Sequence, residues 1–188
     1  MSGSDFLVTE GGRCHPCELG VPPAEAERPH RLYRFLTEVE DLLAALSDDR
    51  QRLQAIRPLV RQLLVSCWSV LTLYDDPDFP LTLQTVAWSP GQESPVHNHG
   101  TWGVVAIISG QEKNGFWRIA ERSASATRVE RVEEQTFWPG DIVSFTADAI
   151  HHIEAVAEEP TVTFNLYGPT DPACRFEFDP VRGTAERF

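Results

Sequence analysis

Two histidines separated by one residue, His97-Asn98-His99, lie within Pro95-Val96-His97-Asn98-His99-Gly100-Thr101-Trp102-Gly103, a run that reads as β-strand. Side chains repeat with a period of two along a strand, so His97 and His99 face the same side. Two imidazoles side by side can hold one divalent transition metal when a third ligand completes the set. A source for that ligand lies downstream. Pro139-Gly140-Asp141 makes a turn, a strand follows, and His151-His152 comes ten residues after Asp141. Adjacent strand residues point to opposite faces, so either His151 or His152 can join the pair, but not both. A three-histidine set leaves coordination positions open, which separates catalytic from structural metal sites.

The elements that must carry these residues are legible in the hydrophobic pattern. Leu32, Phe35, Leu36, Val39, Leu42, Leu43 and Leu46 recur at the helical period, and Leu53, Ile56, Leu59, Val60, Leu63, Leu64 and Cys67 repeat it. Ser47-Asp48-Asp49 ends the first helix and can cap the second, in which Pro58 is expected to make a kink or a split. From about residue 80, short β-branched and aromatic runs alternate with Gly, Pro and Asp: Leu81 to Trp88, Trp102 to Ile108, Gly115 to Ala120, Thr127 to Val132, Asp141 to Phe145, His152 to Val156 and Thr161 to Tyr167. Many short strands with regular turns indicate a β-sandwich or barrel. The expected organisation is a loosely structured arm over residues 1–28, then a single domain over 29–188, with helices over about 29–73 and a barrel over about 80–180.

Composition narrows the function. The chain has 188 residues, 41% hydrophobic and 23% charged, with a formal net charge of -12, which excludes nucleic acid and anionic membranes as expected partners. No apolar run approaches bilayer length, and Met1-Ser2-Gly3-Ser4-Asp5 lacks the basic and apolar parts of a secretory signal, so a cytoplasmic location is expected. The four cysteines are then reduced thiols. Cys14-His15-Pro16-Cys17 has the spacing of half a zinc site or a redox pair, but no second half follows and no βαβ unit surrounds it. His15 and His30 are read as unrelated to the site. Trp88, Trp102, Trp117 and Trp138 are read as core or pocket wall, with Trp102 near enough to the histidines to line a substrate pocket.

These motifs resemble the cupin superfamily. Gly91, five residues, His97-Asn98-His99, and the six residues between Gly103 and Gly110 match its first motif; Pro139-Gly140-Asp141 followed by His151 matches its second. Ordinary cupins carry a glutamate ligand shortly after the histidine pair, whereas Gly100-Thr101-Trp102-Gly103 holds no acid. Three histidines without the glutamate resemble the cysteine dioxygenase family of thiol dioxygenases. His97-Asn98-His99-Gly100-Thr101-Trp102-Gly103 is most similar to its bacterial 3-mercaptopropionate dioxygenase branch. The resemblance implies a mainly β fold, the cupin double-stranded β-helix or jelly-roll barrel with two N-terminal helices. It implies mononuclear non-haem Fe(II) on His97, His99 and His151, and the oxidation of a small thiol by O2 to a sulfinic acid.

The resemblance also assigns further residues. The family's relay on the last core strand falls at Thr163, Asn165 and Tyr167, which alternate and so share a face. Thr163 keeps a hydroxyl and Tyr167 can donate a hydrogen bond, while Asn165 replaces a histidine and cannot shuttle a proton near neutral pH. The cysteine that animal-type members join to the tyrosine falls at Gly103. Arg175, eight residues after Tyr167, is near the mercaptopropionate branch's carboxylate-binding arginine, and a guanidinium fork suits that group. Cysteine or another thiol as substrate is a further reading within the class. A metal-binding cupin without oxygenase activity, acting as a sensor or binding module, is the reading from outside it. The sequence sets no oligomeric state.

Overall fold

Alternation along the strands decides which side chains reach the site and which support it. In the computed structural model, residues 3–17, 32–66, 74–76, 79–123 and 126–187 are described. Within them the elements are β1 (Asp5–Val8), β2 (Cys14–Cys17), α1 (Leu32–Ala45), α2 (Asp49–Ser66), β3 (Tyr74–Asp76), β4 (Phe79–Trp88), β5 (Val96–Asn98) and β6 (Gly103–Ser109). There follow β7 (Glu112–Arg122), β8 (Thr127–Phe137), β9 (Ile142–Phe145), β10 (Ile150–Ala155), β11 (Thr161–Tyr167), β12 (Phe176–Asp179) and β13 (Thr184–Arg187). One sheet has the order β2-β1-β9-β6-β11-β4-β3 and the other β13-β12-β5-β10-β7-β8. This is the expected mainly β jelly-roll barrel with two N-terminal helices.

The first sheet carries a core on each face. Val104 and Ala106 of β6, Phe164 and Leu166 of β11, and Leu81 and Leu83 of β4 pack against Phe35 and Val39 of α1 and Leu53, Ile56 and Val60 of α2. The intervening residues turn inward. Val105 and Ile107 join Val143 and Phe145 of β9 and meet Phe116 and Phe137 from the opposite sheet. Burying a side chain of this size stabilises the fold by about 1.5–3 kcal/mol, so both layers hold β6 and β11 firmly in register. Asp48 caps α2, its Oδ1 accepting from the Gln51 backbone N–H at 3.0 Å. Pro58 lies inside α2 without splitting it, because the helix runs from Asp49 to Ser66. Cys67 and His30 lie outside the described residues.

The arm over residues 1–28 departs from expectation. β1 pairs in parallel with β9 and antiparallel with β2, so part of the arm belongs to the first sheet. Apolar packing and long-range polar contacts hold it there: Val8 is buried in the inner core with Phe6 against it, and Leu7 packs against the core beneath the helices. Asp5, 2% exposed, forms an ion pair with Arg61 of α2, and Ser4 N–H donates to Asp141 Oδ1 at 2.8 Å. Residues 18–31 lie outside the described part. Among the described residues no helix is long and apolar enough to cross a membrane.

Candidate metal centre

β5 lies between β10 and β12, with His97 directly opposite His151 on one side and Glu177 on the other. His97, His99 and His151 bring one ring nitrogen each to within 4.8 Å of one another. His99 Nε2 and His151 Nε2 are 2.9 Å apart. Two imidazole nitrogens each about 2.1 Å from one ion and at right angles about it are separated by about the same distance. Burial is the largest influence on all three rings and pushes each below the usual histidine range, most strongly for His99 and His151; Arg175 adds to this at His97 and His99. Each is therefore neutral near pH 7 and has a lone pair for a metal. The donor set fits a divalent transition ion.

Other groups fix which nitrogen is free. His97 Nδ1 is 2.9 Å from the Pro95 carbonyl oxygen, and His151 Nδ1 is 2.8 Å from Asn114 Oδ1. Both partners are acceptors, so both Nδ1 atoms carry the proton and both Nε2 atoms face the cluster. His152, on the opposite face of β10, accepts from Trp117 Nε1 at 2.8 Å. The alternative between His151 and His152 is thereby resolved in space. His151 is buried among the histidines and His152 packs outward across Gly115, where an added β-carbon would lie 2.1 Å from the ring.

Asn98 turns away from its two histidine neighbours. Its Nδ2 donates to the Cys174 carbonyl at 2.9 Å, and its Oδ1 accepts from Phe176 N–H at 2.7 Å. Those bonds bracket Arg175. Gly100, at φ +62°, allows the same segment to approach, since a β-carbon there would lie 2.8 Å from the Asp171 carbonyl oxygen.

A cavity of about 340 Å³ joins the three histidines to Thr163, Asn165, Tyr167 and Arg175. Tyr167 O–H donates to Asn165 Oδ1 at 3.4 Å, and Asn165 Nδ2 donates to Thr163 Oγ1 at 2.9 Å. The Tyr167 ring lies 4.6 Å from His99 between centroids. Burial, with Glu112 adding to it, raises the Tyr167 phenol above its usual range, so it remains a proton donor. Gly103 is the floor beneath that ring. One sequence assignment is corrected. Trp102, 2% exposed, belongs to the core beneath the helices, while its neighbour Thr101 lines the cavity. Alternation at the entry to β6 turns the indole outward, where it packs over Gly168.

Sequence reasoning missed Glu112 and Glu177, both of which line the cavity. β7 begins at Glu112, three residues before the expected start at Gly115, so its first inward residues were overlooked. Their signal was the alternation of the polar residues Glu112 and Asn114 ahead of an aromatic run. Cys14 and Cys17 are free thiols in β2, away from the three-histidine cluster.

No family model matches the chain. Among solved structures it is similar to a recombinant oxalate oxidase in complex with glycolate, with 14% identity and a TM-score of 0.39 over 50% of this chain and 44% of that one. It is similar to a cupin superfamily protein from Desulfitobacterium hafniense, with 12% identity and a TM-score of 0.39 over 53% of this chain and 75% of that one. An oxalate decarboxylase formate complex from Lactobacillus farciminis gives 22% identity and a TM-score of 0.37 over 48% of this chain and 25% of that one. The chain thus spans less than half of either oxalate enzyme. The chain's own two sheets form a jelly-roll barrel, and its three-histidine site could hold a metal.

Proposed function

We propose that the protein is a non-haem Fe(II) thiol dioxygenase that oxidises a small carboxylate-bearing thiol, of the 3-mercaptopropionate kind, to a sulfinic acid with O2. The observation that carries this reading is one cavity that combines three neutral imidazoles with a guanidinium and a tyrosine hydroxyl. His97, His99 and His151 would hold the iron as three neutral ligands, and an ion so held would keep its full double charge and supply thiolate binding and O2 chemistry. Arg175 holds the substrate carboxylate through paired N–H donors, with Asn98 fixing the backbone on either side of it. Tyr167, protonated, can exchange its long hydrogen bond to Asn165 for one to a group bound in the cavity. Val86, Val105 and Ile153 supply apolar wall and limit water. The overall reaction inserts both atoms of O2 at sulfur. Small thiol and O2 are the proposed partners, in a cytoplasmic setting without nucleic acid or membrane.

Glu177 favours a second substrate within the same class. It lines the cavity on the strand that follows Arg175, and a carboxylate there can receive the ammonium of cysteine. The test is anaerobic Fe(II) loading, metal analysis, and oxygen uptake with 3-mercaptopropionate, cysteine, mercaptosuccinate and cysteamine. About one iron per chain with thiol-dependent uptake and sulfinate product supports the proposal, and the preferred thiol chooses the substrate. Bound iron with no uptake on any thiol refutes it in favour of a metal-binding cupin without oxygenase activity, the reading that Asn165 keeps open.

A further inference from the structure

Glu112 and Asn114 lie on the inward face of β7, 4% and 0% exposed. Asn114 Nδ2 donates to Glu112 Oε1 at 2.8 Å, and Asn114 Oδ1 accepts from His151 Nδ1 at 2.8 Å. A buried chain of carboxylate, amide and imidazole thus ends at the metal centre. An ionised carboxylate only accepts hydrogen bonds, so the amide facing it must present its amino group. The amide oxygen then faces His151 and can only accept, so the His151 proton must sit on Nδ1. Nε2 is left with its lone pair toward His99.

We propose that Glu112 is a positioning residue of this centre: its carboxylate, acting through Asn114, holds His151 in the tautomer whose Nε2 can bind a metal ion. The proposal rests on the three histidines holding a metal and is independent of any thiol chemistry. A protonated Glu112 reverses the chain. Its O–H donates to Asn114 Oδ1, the amide turns over, its amino group faces His151 Nδ1, and the His151 proton moves to Nε2, where it opposes metal binding.

Burial pushes the Glu112 carboxyl up to about 7, against the opposing hydrogen bond from Asn114, so the reversal falls near neutral pH. The groups around Glu112 are few. Its strand neighbours directly opposite, Phe137 on β8 and Ala155 on β10, do not titrate. Across the cavity stand Tyr167, Arg175 and Glu177, with His97 and His99 at the centre. Lys113 pairs with Glu154 instead. His151 itself stays neutral over this range, because burial holds it well below the usual histidine range.

The test compares wild type, Glu112→Gln and the double variant Glu112→Gln/Asn114→Asp. The His151 tautomer is read in metal-free protein by long-range 1H–15N NMR. Zn(II) affinity is read by competition with a chromophoric chelator between about pH 6 and pH 8. Wild type is expected to hold the Nδ1–H tautomer at the alkaline end and to lose it at the acid end. Glu112→Gln is expected to mix tautomers at every pH and to bind Zn(II) about 10- to 100-fold more weakly at the alkaline end. In the double variant the carboxylate introduced at position 114 accepts directly from His151 and also from the amide introduced at position 112, so tautomer and affinity are expected to return. Unchanged tautomer and affinity in Glu112→Gln overturn the proposal. A wild-type tautomer that stays constant while Glu112 titrates overturns it without any variant. Wild type that binds no Zn(II), Co(II) or Fe(II) refutes the metal reading instead, and the metal-free NMR comparison separates the two failures.

Discussion

Gly103 provides a sharp test of how the site is packed. A β-carbon built there would lie 2.7 Å from Tyr167 Cδ1 and 2.8 Å from Cε1, closer than side-chain carbons approach. Gly103 is a strand residue without a positive φ, so alanine is acceptable to the backbone and the conflict lies wholly with the ring. The ring has no free path of retreat. His99 lies 4.6 Å away between centroids, and the Tyr167–Asn165 hydrogen bond is already long at 3.4 Å. Overpacking of this kind costs about 1–3 kcal/mol. Without the ring, alanine in a strand should be favoured over glycine by about 0.5–1 kcal/mol. Gly103→Ala is therefore expected to destabilise the wild-type background by about 2 kcal/mol and to stabilise the Tyr167→Leu background slightly, a coupling of about 2–3 kcal/mol. Urea denaturation of the four metal-free proteins measures it. In Gly103→Ala the displaced hydroxyl should also lower thiol-dependent turnover while Zn(II) binding changes by less than about threefold, since His97 and His151 keep their hydrogen bonds to Pro95 and Asn114. Additive stabilities, with turnover unchanged, would refute the argument that Gly103 exists to seat Tyr167.

His151→Ala should abolish stoichiometric metal binding, whereas His152→Ala should retain it and lose about 1 kcal/mol through the Trp117 hydrogen bond; equal metal loss in both would contradict the facing of β10. Asn98→Ala should raise KM for carboxylate-bearing thiols about tenfold and leave metal content intact, because it frees the backbone around Arg175; metal loss with unchanged KM would place its role at the histidines. In metal-free protein, Glu112→Gln should change the pH dependence of stability. The Glu112 carboxyl is raised from 4.5 to about 7, so the native state holds a proton that the unfolded chain has released, and wild type loses about 3 kcal/mol as pH rises through that window. Glu112→Gln should escape that loss, and parallel denaturation curves against pH for the two proteins would count against a buried Glu112. Burial, reinforced by Glu133 and then Cys17, pushes the Cys14 thiol up to about 12. Iodoacetamide at about pH 8 should accordingly modify Cys14 on the order of 100-fold more slowly than an ordinary exposed thiol, as peptide mapping would show.

The candidate metal ligands His97 and His99 were legible because alternation is local: it carries one residue past the end of β5 at Asn98 and brings both rings to one cluster. His151 and His152 showed the limit of that logic. Period two separates them, but only the packing of β10 against β5 and β7 determines which is inside. β11 is legible with its bounds intact, since Thr161–Tyr167 has both clear alternation and clear ends. β1 and β2 were missed because β1 docks on β9, far away in sequence, and β2 follows it through their hairpin. Among the contacts that fix β1, Asp5 with Arg61 and Ser4 with Asp141 are polar and carry no period, and the apolar run Phe6-Leu7-Val8 is too short to show one. Trp102 was misplaced by one residue, enough to move a side chain from cavity to core, and Thr101 takes the position instead.

That sensitivity to single residues explains how so short a segment as β5 with the residue after it can organise the site. His97 faces the cavity, Asn98 faces away, and His99 returns to the cavity. The two outward bonds of Asn98 fix the chain around Arg175, while the inward histidines join His151. On β7 the same period places Glu112 and Asn114 together on the inside, with Lys113 between them pairing with Glu154. On β11 it places Thr163, Asn165 and Tyr167 in the cavity while Phe164 and Leu166 anchor the strand beneath the helices. Each strand thus carries its polar residues on one face and the apolar residues or bonds that hold it in place on the other. A one-residue deletion within β11 downstream of Phe164 would exchange the faces of the residues that follow, burying Tyr167 against α1 and α2 and turning Leu166 into the cavity. Loss of activity should therefore come with loss of stability in such a variant, whereas substitution of Asn165 alone should separate the two.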